Sequence, residues 1–182
     1  MPTLHRGGKG KGKSVTATSV TRGKAIGGHG EGIVYNAEVT VGTKTRKMVQ
    51  KEFHEPYAGD VNYRAPRNQF KIMHELIALN RKKKLGLNIN PTIRLMENPK
   101  KGKKPFLVMT KLNVRKYSDL TADQKIQFRK ISGQQRKILK DNGYRAGIDP
   151  FFPVLEKGKI TAVIADFGNI RKLTKDELGS SQ

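Results

Sequence analysis

Near the start of the chain, Ile26-Gly27-Gly28-His29-Gly30-Glu31-Gly32-Ile33-Val34-Tyr35 places four glycines in a turn that opens into a β-branched run. Only backbone without side chains can bring amide N–H groups close to a polyanion, so this turn suits phosphate; a flexible turn in a basic chain has the same composition. Lys51 closes the extended run Met48-Val49-Gln50-Lys51 and supplies a point charge. Glu75 lies in a helical pattern four residues after Lys71, the spacing of a solvated helix pair. Further on, Ala165-Asp166-Phe167-Gly168 follows an apolar run and offers a carboxylate, the oxygen ligand that a hard cation takes. Between them, residues 143–154 contain a single acid, Asp149, whose Asp-Pro pair also marks a turn.

A small set of elements must position these residues. Residues 33–41 are β-branched and aromatic and run into Gly42-Thr43-Lys44, after which residues 47–53 resume an extended pattern; strand, turn and strand are expected. Loop signals follow at Pro56, Gly59 and Pro66. From Pro66 a helical period runs through Phe70, Met73, Leu76, Ile77 and Leu79, with Gly86 beyond its end. Residues 93–96 and 106–112 read as two more strands, joined by Asn98-Pro99 and a lysine-rich turn. Thr121-Ala122-Asp123-Gln124 has the spacing of a capping box, and Ile126, Ile131, Ile138 and Leu139 mark a longer helix ending before Asn142-Gly143. Residues 151–155, the Glu156-Lys157-Gly158-Lys159 turn and residues 160–165 predict a hairpin that delivers Asp166. Beyond Leu173 the chain reads as polar and loose.

At 182 residues the chain suits one domain with a sizeable core. Hydrophobic residues make up 35% of it, spread over residues 26–173. Residues 1–24 are rich in Gly, Lys, Ser and Thr without an acid and cannot bury enough apolar surface to order themselves, which predicts a flexible basic arm. Lys and Arg number 37 against 15 Asp and Glu, a formal +22, favouring polyanionic partners: nucleic acid, acidic protein faces, anionic lipid surfaces or nucleotide phosphates. The absence of cysteine excludes disulfides, thiolate zinc sites and thiol catalysis. No apolar run approaches the ~20 residues of a bilayer span, and no secretory signal stands near Met1, so a soluble protein is expected.

The glycine turn, Lys51, Glu75 and Asp166-Phe167-Gly168, in that order, resemble the protein-kinase family. The resemblance puts Gly27 and Gly32 at the outer glycines of the glycine-rich loop, with Gly28 and Gly30 beside His29, which stands where the middle glycine usually falls, and Val34 capping the adenine. It implies that Lys51 grips the α- and β-phosphates of ATP and pairs with Glu75. It implies that residues 106–112 lead to the hinge, with Met109 as gatekeeper and the backbone of Thr110, Lys111 and Leu112 at the adenine edge. Asp166 would hold Mg²⁺. The region matching the kinase catalytic loop departs from the pattern: it has no histidine and no asparagine, Asp149 is its one candidate base, and Val154 stands five residues on, where a second metal ligand is usual. Asn169 is a candidate substitute for that ligand. Fourteen residues follow Gly168, so the resemblance implies a reduced second lobe, similar to small bacterial kinase-like effectors.

The expectation is thus an α+β, protein-kinase-like fold: a basic arm over residues 1–24, a minimal domain over 25–174 and a polar tail over 175–182. The domain would comprise an antiparallel-sheet N-lobe with one helix (25–112) and a minimal C-lobe (113–174). The expected function is Mg²⁺- and ATP-dependent phosphoryl transfer to a Ser, Thr or Tyr of a protein substrate, acidic given the charge, in the cytoplasm or as a secreted effector in a host cytosol. Two alternatives stay open: an ATP-binding pseudokinase, and a basic RNA- or ribosome-binding protein using Arg81-Lys82-Lys83-Lys84 and the lysines of 100–104.

Overall fold

The computed structural model of the chain describes residues 3–4, 15–16, 19–28, 30–54, 65–96, 104–147 and 149–179. They belong to two compact units, Met1–Phe70 with Pro91–Lys111, and Lys71–Asn90 with Leu112–Gln182. The class is α+β, with mostly antiparallel pairing and few helices.

In the first unit, β1 (Thr3–Leu4) and β2 (Val15–Thr16) form a short antiparallel pair. Five strands then build an antiparallel sheet: β3 (Ser19–Gly27), β4 (Gly32–Val41), β5 (Lys44–Phe53), β6 (Thr92–Met96) and β7 (Phe106–Thr110). Their spatial order is β3, β4, β5, β7, β6. The β4–β5 connection has Gly42 at φ 59°, which a two-residue hairpin turn of the II′ kind requires at its first position. From that turn the register runs without a slip, from Val41 opposite Lys44 to Gly32 opposite Phe53. Because side chains alternate between faces, Ala37, Val39, Met48 and Val108 share one face and form a buried cluster with Val20, Val41 and Phe106 packed against it. Strand β3 begins at Ser19, so residues 19–24, expected within the arm, belong to the sheet. Nearly all of β3 is solvent-exposed; backbone pairing with β4 holds it, and that pairing leaves no hydrophobic pattern in the sequence.

Helix α1 (Pro66–Lys83) opens with proline, whose fixed φ and missing N–H suit the first helical position, and the division between the units falls within it. In the second unit α2 (Ala122–Asp141) carries the expected capping box: the Thr121 hydroxyl accepts from the Gln124 amide at 3.2 Å, and the Gln124 side chain accepts from the Thr121 amide at 3.1 Å. Four short strands follow: β8 (Tyr144–Ala146), β9 (Phe151–Glu156), β10 (Lys159–Ile164) and β11 (Ile170–Lys172). The β9–β10 hairpin is as expected, and α2 packs on β8 and β10. Gln135, 3% exposed, fastens this packing: its amide donates to Ala162 O at 2.7 Å and its carbonyl accepts from Asn88 N at 2.9 Å. Residues 88–90 run beside the end of β10, with Ile164 N donating to Asn88 O and Asn90 N donating to Ile164 O, each at 2.8 Å.

The stretch beyond Leu173 is structured where a loose tail was expected. Helix α3 (Lys175–Gly179) starts on Thr174, whose amide donates to Glu177 at 2.9 Å while its hydroxyl accepts from the Glu177 amide at 3.4 Å. Thr174-Lys175-Asp176-Glu177 thus repeats the capping logic seen at Thr121, without the apolar run that would have advertised it. Of the loop expected over residues 54–66, residues 55–64 lie outside the described residues, as do residues 97–103 of the expected lysine-rich turn. No helix among the described residues is long and apolar enough to cross a membrane.

Candidate functional site

The sheet of the first unit assembles one group of expected residues by register alone. Gly27 lies opposite Val34, Val34 opposite Lys51, and Lys51 opposite Leu107, so the glycine turn, Val34 and Lys51 share one row across four strands. Met109, 6% exposed, falls on the same face two residues along β7. The glycines have different duties. A Cβ on Gly32 would stand 2.1 Å from Glu52 O, and one on Gly28 2.5 Å from Gly32 O, so these two permit the backbone to close on itself. Gly27 and Gly30 have open space around them, and Gly30 has φ 67°. His29 lies outside the described residues.

Lys51 is largely buried, and its ammonium donates to the Glu31 carboxylate at 2.5 Å, with the two side chains 10% and 11% exposed. Gln69, near the start of α1 and 2% exposed, donates its amide to the second Glu31 oxygen at 3.0 Å, and its carbonyl lies 3.5 Å from the Lys51 ammonium. The Phe53 ring centroid is 5.3 Å from the same ammonium. Burying two charges costs solvation energy that good geometry and further hydrogen bonds must offset, and Gln69 supplies such a bond. A lysine held in this way beside side-chain-free turn backbone is suited to a phosphate or carboxylate oxygen.

In the second unit two loops meet. Ala165 N and Asp166 N donate to Pro150 O at 3.0 and 3.4 Å, and Gly147 N donates to Asn169 O at 2.6 Å, so the segment around Asp149 and the Asp166 motif are fastened through their backbones. A Cβ on Gly147 would stand 3.2 Å from Asn169 O, a tight contact that Asn169 would have to relieve by a few tenths of an ångström. The Asp166 carboxylate accepts from Gly168 N at 3.2 Å and from the Asn169 side-chain amide at 2.9 Å, while Phe167 is 1% exposed and anchors the turn. Strands β8 and β11, too short to leave a sequence signal, pair at the base of these loops. Asp149 is exposed. Val154, five residues on, is 2% exposed within β9, opposite Thr161, so the position offers a core side chain and no ligand. Asp166 with Asn169 can present a carboxylate and an amide oxygen to a hard cation. Among the described residues no group of three His, Cys, Asp or Glu forms a metal cage.

Glu75 lies in the second unit, where it accepts from the Tyr144 hydroxyl at 3.3 Å and sits 3.0 Å from the Lys172 ammonium. Burial first, and then the charge and hydrogen bond of Glu75, push the Tyr144 phenol up to about 12. The Lys111 ammonium donates to the Asn36 side chain at 2.8 Å; Lys111 and Leu112 follow the end of β7. Sequence reasoning missed Glu31 and Gln69 as partners of Lys51. An acid inside a glycine turn is a ready counter-ion, and the hairpin register, countable from Gly42, already brings Lys51 to the level of Val34 beside that turn. No protein-family model matches the chain, and no curated protein matches it.

Proposed function

We propose that the chain is a minimal kinase-like enzyme that binds MgATP and transfers the γ-phosphoryl group to a hydroxyl of a protein substrate. The observation that carries this reading is the corner where a glycine turn and a buried strand lysine meet, with Lys51 2.5 Å from Glu31 of the turn. Two others support it: an antiparallel sheet whose last two strands are exchanged in space, and the fastening of the Asp149 loop to the Asp166 turn through Pro150 and Gly147.

In this reading Lys51 and the turn amides hold phosphate oxygens, which fixes the nucleotide's orientation and compensates its charge. Asp166, with Asn169 beside it, offers oxygen ligands to magnesium, which when bound neutralises charge on the phosphates. Asp149, exposed on its loop, accepts the proton of the attacking hydroxyl. The formal +22 suits an acidic protein substrate. A second reading, nucleotide binding without transfer, is favoured by one observation: the position of Val154 is a buried strand residue and leaves the catalytic loop one ligand short.

The test is a thermal-shift titration with MgATP on the wild type, Lys51→Ala and Asp166→Ala, beside incorporation of label from γ-labelled ATP. At about a hundred times the dissociation constant, binding adds ~2.7 kcal/mol to the wild type and nothing to either variant. Incorporation that Asp149→Ala abolishes identifies transfer; a shift without incorporation identifies the binding-only form. RNA raising the melting temperature where ATP does not would overturn the nucleotide reading.

A further inference from the structure

The partner of Lys51 is a carboxylate carried by the glycine turn itself. Glu31 has both oxygens engaged, one by the Lys51 ammonium at 2.5 Å and one by the Gln69 amide at 3.0 Å. Its backbone carbonyl also accepts from His54 N at 2.9 Å, which ties the turn to the end of β5. If Lys51 receives phosphate, Glu31 holds the place a phosphate oxygen would take.

We propose that Glu31 is a self-inhibitory latch: without nucleotide it neutralises Lys51 and closes the glycine turn over it, and a polyphosphate binds only as the carboxylate is released. The inference rests on the nucleotide reading above and adds the regulation of that site. The carboxylate and a phosphate cannot both sit at close range to one ammonium without repelling each other, so binding and latching exclude one another. A triphosphate carries more negative charge than one carboxylate and therefore displaces it at sufficient concentration. The turn is built for that exchange. Gly28 and Gly32 are locked by the backbone they approach, whereas Gly30, next to Glu31, adjoins open space and has φ 67°, so the tip of the turn can adjust while the Glu31 carbonyl stays on His54 N and its side chain swings away from Lys51. Gln69 sets the balance, since its amide stabilises the latched carboxylate. The apparent affinity for nucleotide is then lowered by the fraction of molecules whose latch is open.

The experiment is calorimetric titration of wild type, Glu31→Gln and Gln69→Leu with MgATP, magnesium tripolyphosphate and adenosine, each variant first checked by its melting curve. Glu31→Gln keeps a hydrogen-bonding side chain and removes the charge. It is expected to bind MgATP and tripolyphosphate about tenfold tighter with adenosine unchanged, and Gln69→Leu about threefold tighter. Should Glu31→Gln fail to fold, the Gln69→Leu result decides. Wild-type binding of ATP that these variants leave unchanged or weaken overturns the latch and leaves the nucleotide reading standing. Absence of binding of ATP and tripolyphosphate by every form overturns that reading, and the latch with it.

Discussion

The lysine corner of the first unit and the aspartate loops of the second are built on different principles. Around Lys51 the charged side chains hold one another: a cation, a carboxylate and an amide are buried together, and each leaves its neighbour exposed to a desolvation penalty if removed. Around Asp166 the backbone does much of the holding, through Pro150 O, Gly147 N and the anchored Phe167; the Asp166 carboxylate accepts from Gly168 N and the Asn169 side chain within its own turn, and Asp149 is exposed. Charge in the first region is therefore coupled to folding. In the second, the exposed Asp149 is available for chemistry at little cost to stability.

Substitutions can break this contrast. The largest effect is expected at Gly32→Ala, where a Cβ would meet Glu52 O at 2.1 Å; backbone cannot yield cheaply, and a loss of about 3 kcal/mol or more is expected in urea denaturation. Lys51→Ala strands the Glu31 carboxylate and is expected to cost about 3 kcal/mol. Asp166→Ala loses hydrogen bonds to Gly168 and Asn169 and should cost about 1.5 kcal/mol, while Asp149→Ala should stay within about 0.5 kcal/mol. Equal losses at Lys51 and Asp149 would dissolve the distinction.

A pH series sharpens it. The Arg171 guanidinium, then the Thr174 amide and Arg145, hold the Glu177 carboxyl well below the usual carboxylate range. A depressed folded-state value means that Glu177 contributes stability above its unfolded value of about 4.3, and that this is lost as pH falls further toward the folded value. The melting temperature of wild type should therefore fall more steeply than that of Glu177→Gln from about pH 5 downward. The smallest effect concerns the hairpin that delivers Asp166: Lys157 has φ 48° beside Gly158 at φ 80°. Lys157→Asn suits that left-handed conformation better and should add about 0.5 kcal/mol, leaving the Lys51 corner unchanged.

Much of this fold was legible in the residues. The Thr121 capping box, the Pro66 start, the Gly42 turn and the Lys157-Gly158 hairpin are local, and each was placed by a rule acting within a few residues. Strand β3, the β8 and β11 pair and helix α3 were not, for a common reason: they are short or exposed and are held by backbone or charged contacts, so they leave no apolar period to detect. The candidate site divides in the same way. The glycines, Lys51 and Asp166 declared their chemical type, but not their neighbours.

The sequence by itself placed a turn at Gly42 between two extended runs; the two-residue form of that turn sets the pairs along β4 and β5, Val34 with Lys51 among them, whereas Gly27 reaches Val34 across register shifts in β3. It also determined the absence of thiol chemistry and the excess of positive charge. Only the tertiary structure decided which carboxylate faces Lys51, because Glu31 and Gln69 reach it from a turn and a helix twenty and eighteen residues away along the chain. It likewise set Glu75 beside Tyr144 and Lys172. Such pairings depend on how far a side chain reaches once the backbone is folded, and no spacing rule along the chain encodes that distance.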